Sequence, residues 1–565
     1  MASYCKRRIK GDFFLDFYLF LCYNNLSMDK TNFLAVILII VLLVVWNIFM
    51  MQRMRSTPPA AEIEAPDTTR VEEVKPVTEE KRPLSVTAKL DTIETPFVFA
   101  VFSNIGGTVV EYTLKEYKHH KDGLVQLIPP GQRCVSDIIR MDGKTYDLKN
   151  SIYSIKERDE NSITYILRLD DGKELIKKYT FSNTDYAVLL SLDLPVLEDY
   201  IVAWDGGLLF TEKNQQDELR FFSAVAFTEG GPISTSLSSL SYEGEEIPST
   251  TLKWVGIKNK YFLASIIPKK AEAKGVKMRR FSKSPPRGGG CIPGGRGCSP
   301  TGEKTINPDD ARMGIYLTTR PESTLEYLLF IGPLDYQLLS SYKVGLEHAC
   351  YMGWKFIKPI SRAILFVIMF FGRFMPNYGL VVILFALLIS FIFYPITSFN
   401  QKTMRKTAEI QPKLLALQKK YKKDPQRLSK ETMELYRKSG VNPMSGCLPL
   451  LIQMPIFFAL YAILQTTINL RGAEFVGWLK DLSQPDPYFV LPILMGITMF
   501  LQQKIMGTQA TQGESQRMLT YMMPIFLTFI FLSLPSGIVL YWLSYNIFTI
   551  AQLSYLKRKI QSVIQ

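Results

Sequence analysis

Apolar and polar positions are spread very unevenly along the chain. From about residue 57 to 320 they come in short runs with frequent turn residues; from about 360 to 560 they gather into long apolar stretches. In the first region, Phe97-Val98-Phe99-Ala100-Val101-Phe102 precedes the turn Asn104-Ile105-Gly106-Gly107, after which residues 108–112 resume an extended pattern. Residues 163–169 lead into Asp170-Asp171-Gly172, a hairpin signal. Residues 188–194, 208–210 and 261–267 look similar, and many short strands with turn signals predict an all-β, antiparallel sandwich-like domain.

The apolar half predicts helices. Residues 351–375 mix Trp354, Phe356, Ile360 and Leu365 with Lys355, Lys358, Arg362 and Arg373, the pattern of a helix lying in a membrane interface. Five spans follow at 378–393, 448–464 (broken by Pro449 and Pro455), 489–501, 518–534 and 538–556. Ahead of everything, residues 32–50 form an uncharged apolar run about as long as a helix needs to cross ~30 Å of hydrocarbon. Met51, Gln52, Arg53, Met54 and Arg55 follow it instead of the small residues of a cleavage site, so it reads as an uncleaved anchor and the sixth span.

These patterns predict the following plan: an upstream extension over 1–27 with Met28 as the start; an anchor at 28–55; a disordered Pro/Glu/Thr tether at 56–83; a β domain at 84–350; an interfacial helix at 351–375; a span at 376–399; a cytoplasmic hairpin at 400–443; the remaining spans within 444–556; and a basic tail at 557–565. Residues 282–301, SKSPPRGGGCIPGGRGCSPT, have too little apolar bulk to fold and read as an insertion in a surface loop of the β domain.

The net charge of +14 matters through its location. Residues 400–442 carry twelve basic side chains (Lys402, Arg405, Lys406, Lys413, Lys419, Lys420, Lys422, Lys423, Arg427, Lys430, Arg437, Lys438) against four acids (Glu409, Asp424, Glu431, Glu434). Short loops rich in Lys and Arg stay in the cytoplasm, so alternation outward from this one puts the β domain outside and both termini inside. The loop is itself patterned. Ile410, Leu414, Leu417 and Tyr421 mark one helical arm, Met433, Leu435 and Tyr436 a second from about Ser429, and Lys422-Lys423-Asp424-Pro425 the break between them. Such a hairpin serves equally as a solvated loop or as a docking arm for an incoming chain.

Catalytic chemistry has little to stand on. There is no HExxH, Walker loop or GxSxG motif, no CxxC pair, and only three histidines, His119, His120 and His348. His119 and His120 read as part of a solvated strand or turn. Cys291 and Cys298 lie close enough in the Gly/Pro-rich loop to pair, without metal or redox spacing. The chain reads as a polytopic membrane protein with a structural or binding domain outside, not as a soluble enzyme, and no cofactor is expected.

The membrane half resembles the YidC/Oxa/Alb family of membrane protein insertases. The resemblance is carried in order by GCLPLLIQMPIFFALY at 446–461, DPYFVLPILMGITMF at 486–500 and PSGIVLY at 535–541, with YPIT at 394–397, Gln411-Pro412-Lys413 and Val441-Asn442-Pro443 in support. The β domain looks like the periplasmic domain of Gram-negative members, with Gly106-Gly107 and Asp185-Tyr186-Ala187-Val188 where that domain has them; the Gly-rich insertion departs from the pattern. The resemblance implies a five-helix core plus anchor, with a hydrophilic groove open to cytoplasm and lipid that inserts and helps fold nascent membrane proteins in the bacterial inner membrane, without nucleotide hydrolysis. Implied partners are nascent chains, lipid, the Sec translocon and, through the basic tail, the ribosome.

On this sequence the implied groove residues are Ala386, Ser390, Pro449, Gln453, Pro455 and Tyr541, and the implied hairpin residues are Gln411, Pro412, Lys413 and Tyr421. One position departs from the family. An arginine is usual five residues before the proline of the YPIT-like motif, and counting back from Pro395 gives Ser390. The nearby polar residues are Gln453, Gln502, Gln503 and Lys504, the last suited to snorkelling at a helix end. The groove is therefore expected to work by hydration rather than by a fixed charge. A secondary transporter and an outer-domain receptor or assembly factor are the rival functions; no repeat between helices supports the first.

Overall fold

A computed structural model describes residues 88–564, apart from 122, 170–171, 196, 249–250, 282–311, 423, 441–447 and 506–513. The expected anchor, tether, start at Met28 and Cys291/Cys298 lie outside the described residues. The chain divides into two compact units: a β unit running to Lys358 and including Ala462–Arg471, and a helical unit made of Pro359–Tyr461 and the chain from Gly472 onward.

Three antiparallel sheets build the β unit. The four-stranded sheet runs in chain order through Leu90–Glu94, Val98–Ser103, Thr108–Lys118 and Leu124–Gln126. The nine-stranded sheet is ordered Gly231–Ser236, Ser223–Thr228, Leu252–Lys258, Phe262–Lys270, Thr324–Pro333, Ala187–Asp193, Glu174–Phe181, Ser162–Arg168, Ser154–Arg158. The six-stranded sheet is ordered Glu245–Pro248, Ala273–Phe281, Arg312–Thr319, Asp199–Trp204, Ser136–Met141, Lys144–Asp147. Alternation drives the layering: along Glu174–Phe181, residues Leu175, Lys177, Tyr179 and Phe181 are buried while those between are not. Phe102 of the small sheet lies 4.9 Å from the Tyr179 ring of the large one. The Thr319 hydroxyl of the six-stranded sheet meets the Tyr327 hydroxyl of the nine-stranded sheet at 2.6 Å.

The expected hairpins form: Val98–Ser103 pairs with Thr108–Lys118, and Ser162–Arg168 with Glu174–Phe181. The expected insertion joins two paired strands, since Phe281 stands opposite Arg312. His119 and His120 lie in the turn after Thr108–Lys118. Residues 208–210 are not a strand. Gly206 and Gly207 precede them at φ 93° and 75°, and Leu208 and Phe210 drop into the core as packing plugs.

Two polar clusters are buried in this unit. Lys177, wholly buried, donates to Asp137 Oδ1 and Oδ2 at 2.9 and 2.8 Å and to the Val135 carbonyl at 2.6 Å. The hydroxyls of Tyr153 and Tyr200 also donate to Asp137. Burial pulls the Lys177 ammonium below its usual range, and the Asp137 charge opposes that. In the second cluster, Arg471 Nε pairs with Glu212 Oε1 at 2.6 Å, and the guanidinium lies over the Tyr261 and Phe262 rings. Glu218 accepts from the backbone N–H of Thr211 and Glu212. Burial first, then the neighbouring Glu212 charge, pushes its carboxyl up to about 7, against the hydrogen bonds it accepts. Ile468, three residues before Arg471, belongs to the same hydrophobic core.

Among the described residues seven helices follow in or near the helical unit: α1 (Lys358–Gly372), α2 (Tyr378–Lys420), α3 (Pro425–Lys438), α4 (Leu448–Thr466), α5 (Val490–Ile505), α6 (Glu514–Phe531) and α7 (Ser536–Ile564). Within α2, Tyr378–Thr403 is long and apolar enough to cross a membrane; Gln453–Thr466, Val490–Ile505 and Met522–Phe531 are shorter apolar stretches.

Four boundaries differ from expectation. Helix α1 starts at Lys358 rather than 351, because the Trp354 carbonyl closes a turn onto the N–H of Ile357 and Lys358 and Pro359 then suits a first turn. The expected span and first hairpin arm are one 43-residue helix, α2, which runs through Pro395 and Pro412. Helix α3 begins at Pro425, not Ser429, since the Asp424 carboxylate caps the Arg427 N–H and proline fits the first turn. Pro449 does not break α4: it is the second residue of the helix, where no N–H is needed, and Pro455 alone is interior.

Candidate functional site

Three helices of the helical unit bury polar side chains near one another. Ser390 lies on α2, one turn after the fully buried Ala386 and one turn before Pro395, and is 1% exposed. Among the described residues its Oγ has no hydrogen-bond partner. Gln453 of α4, also buried, donates through Nε2 to the Tyr541 hydroxyl of α7 at 2.7 Å. The Tyr541 ring lies 5.8 Å from Phe385 of α2 and 6.1 Å from Tyr545. Gln453 and Tyr541 are thus joined directly, Phe385 beside Ala386 packs on the same tyrosine, and Ser390 lies buried farther along α2, where α7 reaches it from Gln552; together these side chains are the candidate seam, with Pro455 half-buried on α4. Pro449 contributes backbone to the same helix.

Helix α7 supplies residues that sequence reasoning missed. Gln552 Nε2 donates to the Ser390 carbonyl at 3.1 Å, and Asn546 Nδ2 to Thr498 Oγ1 of α5 at 3.3 Å. The signal was present: Tyr541, Tyr545, Thr549 and Gln552 recur in α7 at spacings of four, four and three, which puts them on one face. Lys504 ends α5 and is exposed.

The hairpin residues divide. Gln411 is buried beside Ile410 and Leu414, which pack against Leu435 and Tyr436 of α3. Pro412 and Lys413 are exposed. Tyr421 closes the arm, its N–H on the Leu417 carbonyl, with Lys420 Nζ and the Arg427 guanidinium 5.2 and 5.3 Å from its ring. Large apolar side chains meanwhile point outward from the helices, among them Phe391, Ile392, Phe399, Ile493 and Phe529. Outward-facing apolar side chains on helices with a polar interior are the arrangement expected where the surrounding solvent is lipid.

Comparison with known proteins gives this geometry a family. The "60Kd inner membrane protein" family model matches residues 370–563, and the "YidC periplasmic domain" model matches residues 91–365. The "Membrane protein insertase YidC" of Chlorobium luteolum is 30% identical over 586 residues, covering 94% of this chain and 95% of that protein. The chain belongs to the YidC membrane protein insertase family. Its relatives in this family include the proteins of the same description from Prosthecochloris aestuarii (30% over 578 residues, 94% and 95% covered) and Geotalea daltonii (30% over 554 residues, 94% and 100%). A crystal structure described as active YidC insertase with its first transmembrane domain resolved aligns at 16% identity over 82% of this chain and 92% of that one, with a TM-score of 0.37. The β unit is accordingly the family's periplasmic domain, the chain an inner-membrane protein, and the seam lies within the region matched by the inner membrane protein model.

Proposed function

We propose that this protein inserts newly made membrane proteins into the bacterial inner membrane through the polar seam of its helical unit, and assists their folding. The observation that carries the proposal is a buried, uncharged hydroxyl, that of Ser390, left without a partner among the described residues of a helical unit that also buries the Gln453–Tyr541 pair, in a chain of this family. A polar segment entering hydrocarbon strands its backbone and side-chain groups at several kcal/mol each. A wet seam flanked by lipid-facing helices shortens that crossing, and burial of a roughly 20-residue apolar span then retains the client without nucleotide hydrolysis. In this reading the seam is a groove open to cytoplasm and lipid within a five-helix core. A sixth span at 32–50 anchors the N-terminus, both termini are cytoplasmic, and the basic hairpin receives the incoming chain. The Sec translocon acts beside it on some clients, and the ribosome meets the basic tail.

The test is depletion of the protein with in vivo crosslinking from positions 386, 390 and 453. Nascent membrane proteins are the expected adducts; crosslinks confined to lipid or Sec subunits would overturn the groove. Ser390→Arg should leave insertion broadly intact, because hydration and not a fixed charge does the work. Deleting residues 84–319 should spare insertion, whereas a receptor built on the β unit would lose its activity.

A further inference from the structure

Resting on the insertase reading above, we propose that Gln552 is a positioning residue of the seam. It pins the proline-weakened turn of α2 so that this turn offers uncharged hydrogen-bonding groups to the backbone of a client segment, whatever the charge of that segment. Pro395 has no N–H, so the carbonyl of Phe391, four residues earlier, loses its helical donor and the turn holding Ser390 loses a rung. Gln552 reaches across from α7 to the Ser390 carbonyl and holds that turn from the side.

The Ser390 hydroxyl sets this turn apart. Helical hydroxyls in an apolar setting commonly fold back onto the carbonyl four residues earlier. Thr403, Thr407, Thr528 and Thr549 all do so here, at 2.7–3.2 Å. Ser390, as buried as Thr549 and more so than the other three, does not, and Ser361 of α1 is the other serine of the helical unit buried in this state among the described residues. A free hydroxyl and an unladdered carbonyl in one pinned turn supply a donor and acceptors, which is what the peptide groups of an extended chain require when water is scarce.

The seam has no charge with which to select by sign. Among the described residues, the buried polar side chains of α2, α4 and α7 are amides and hydroxyls. The helical unit's buried carboxylate, Asp486, is held in the loop before α5 by Trp478 Nε1 and the N–H groups of Tyr488 and Leu491.

The experiment uses the full chain in a depletion strain, with a photoreactive residue at position 386 and one single-span client carrying a neutral, acidic or basic translocated tail. The unsubstituted seam should crosslink the three tails within about twofold of one another, a difference well under one hydrogen bond. Gln552→Leu, which removes the amide donor without adding a charge, should lower the yield for all three about five- to tenfold, with membrane abundance and protease pattern unchanged, and the isosteric Gln552→Glu should lower it most for the acidic tail. Gln552→Asn, the same donor one methylene shorter, should recover part of the yield, and Ser390→Arg should favour the acidic tail. Undiminished crosslinking in Gln552→Leu would overturn the proposal, as would a tenfold or greater preference for one tail charge in the unsubstituted protein. No client crosslink at all in the unsubstituted protein would instead sink the insertase reading, and this proposal with it.

Discussion

Lys177 and Ser390 are both buried polar side chains, and they stand at opposite extremes of hydrogen bonding. In the β unit the ammonium sits among two carboxylate oxygens, a carbonyl and two tyrosine hydroxyls that share the same carboxylate. In the helical unit a far cheaper group to satisfy, one hydroxyl, has no partner among the described residues. A buried charge that is fully bonded specifies and stiffens a fold, since losing either member leaves the other uncompensated. An unmet hydroxyl adds little to stability and stays available to whatever enters next. Lys177 is buried polarity that holds a shape, whereas Ser390, on the function proposed above, is buried polarity kept open for a client.

The sharpest way to break this contrast is to cut the ion pair. Lys177→Met or Asp137→Ala should each destabilise the β unit by about 3–5 kcal/mol, read as a loss of protease resistance and a lowered unfolding midpoint of the intact protein in detergent. The double change to Met and Leu should recover most of that loss.

A pH series probes the second buried cluster. The folded Glu218 carboxyl is raised to about 7, above the ordinary value of 4.5. Between those values the folded state binds more protons than the unfolded one, so stability is greatest near the lower value and falls as pH rises toward 7. The limit of that effect is roughly 3 kcal/mol. Chemical unfolding of the β unit at pH 5 and pH 8 should show the fall, and Glu218→Gln should flatten it.

Gln453→Leu comes next in size. It strands the Tyr541 hydroxyl and should cost the helical unit about 1–3 kcal/mol in thermal stability, with reduced insertion. Ser390→Ala should change stability least, by less than about 0.5 kcal/mol, because no bond is lost, while insertion falls only partly. A large stability loss at Ser390 would erase the distinction between the two units; abolished insertion with intact folding would require a specific task for that hydroxyl.

Much of this was legible in the sequence where the period is short and local. Alternation and the turn signals at Gly106-Gly107 and Asp170-Asp171-Gly172 place the hairpins, and the apolar runs place the helices. Residues 208–210 misled because an apolar triplet looks the same as a strand or as a plug; only the backbone turn at Gly206-Gly207 separates the two. Prolines misled for a related reason: Pro449 and Pro425 start helices rather than end them. The seam residues Ser390, Gln453 and Tyr541 followed from the family resemblance. The bond from Gln552 to the Ser390 carbonyl spans 162 positions and joins helices whose adjacency no local pattern encodes. The same is true of Arg471 and Glu212, 259 positions apart.

The unbroken course of α2 has a mechanical meaning. Forty-three residues at 1.5 Å each make a rod of about 65 Å, with the hairpin contact at Leu414 about 36 Å along it from Ser390. The two are stations on one lever, so a push on the hairpin tip arrives at the seam as rotation or tilt of the same shaft. Pro395 and Pro412 are the places where that shaft can flex, each lacking one rung of its ladder. Any displacement that starts at the hairpin loses a share at each of those two joints before it reaches Ser390.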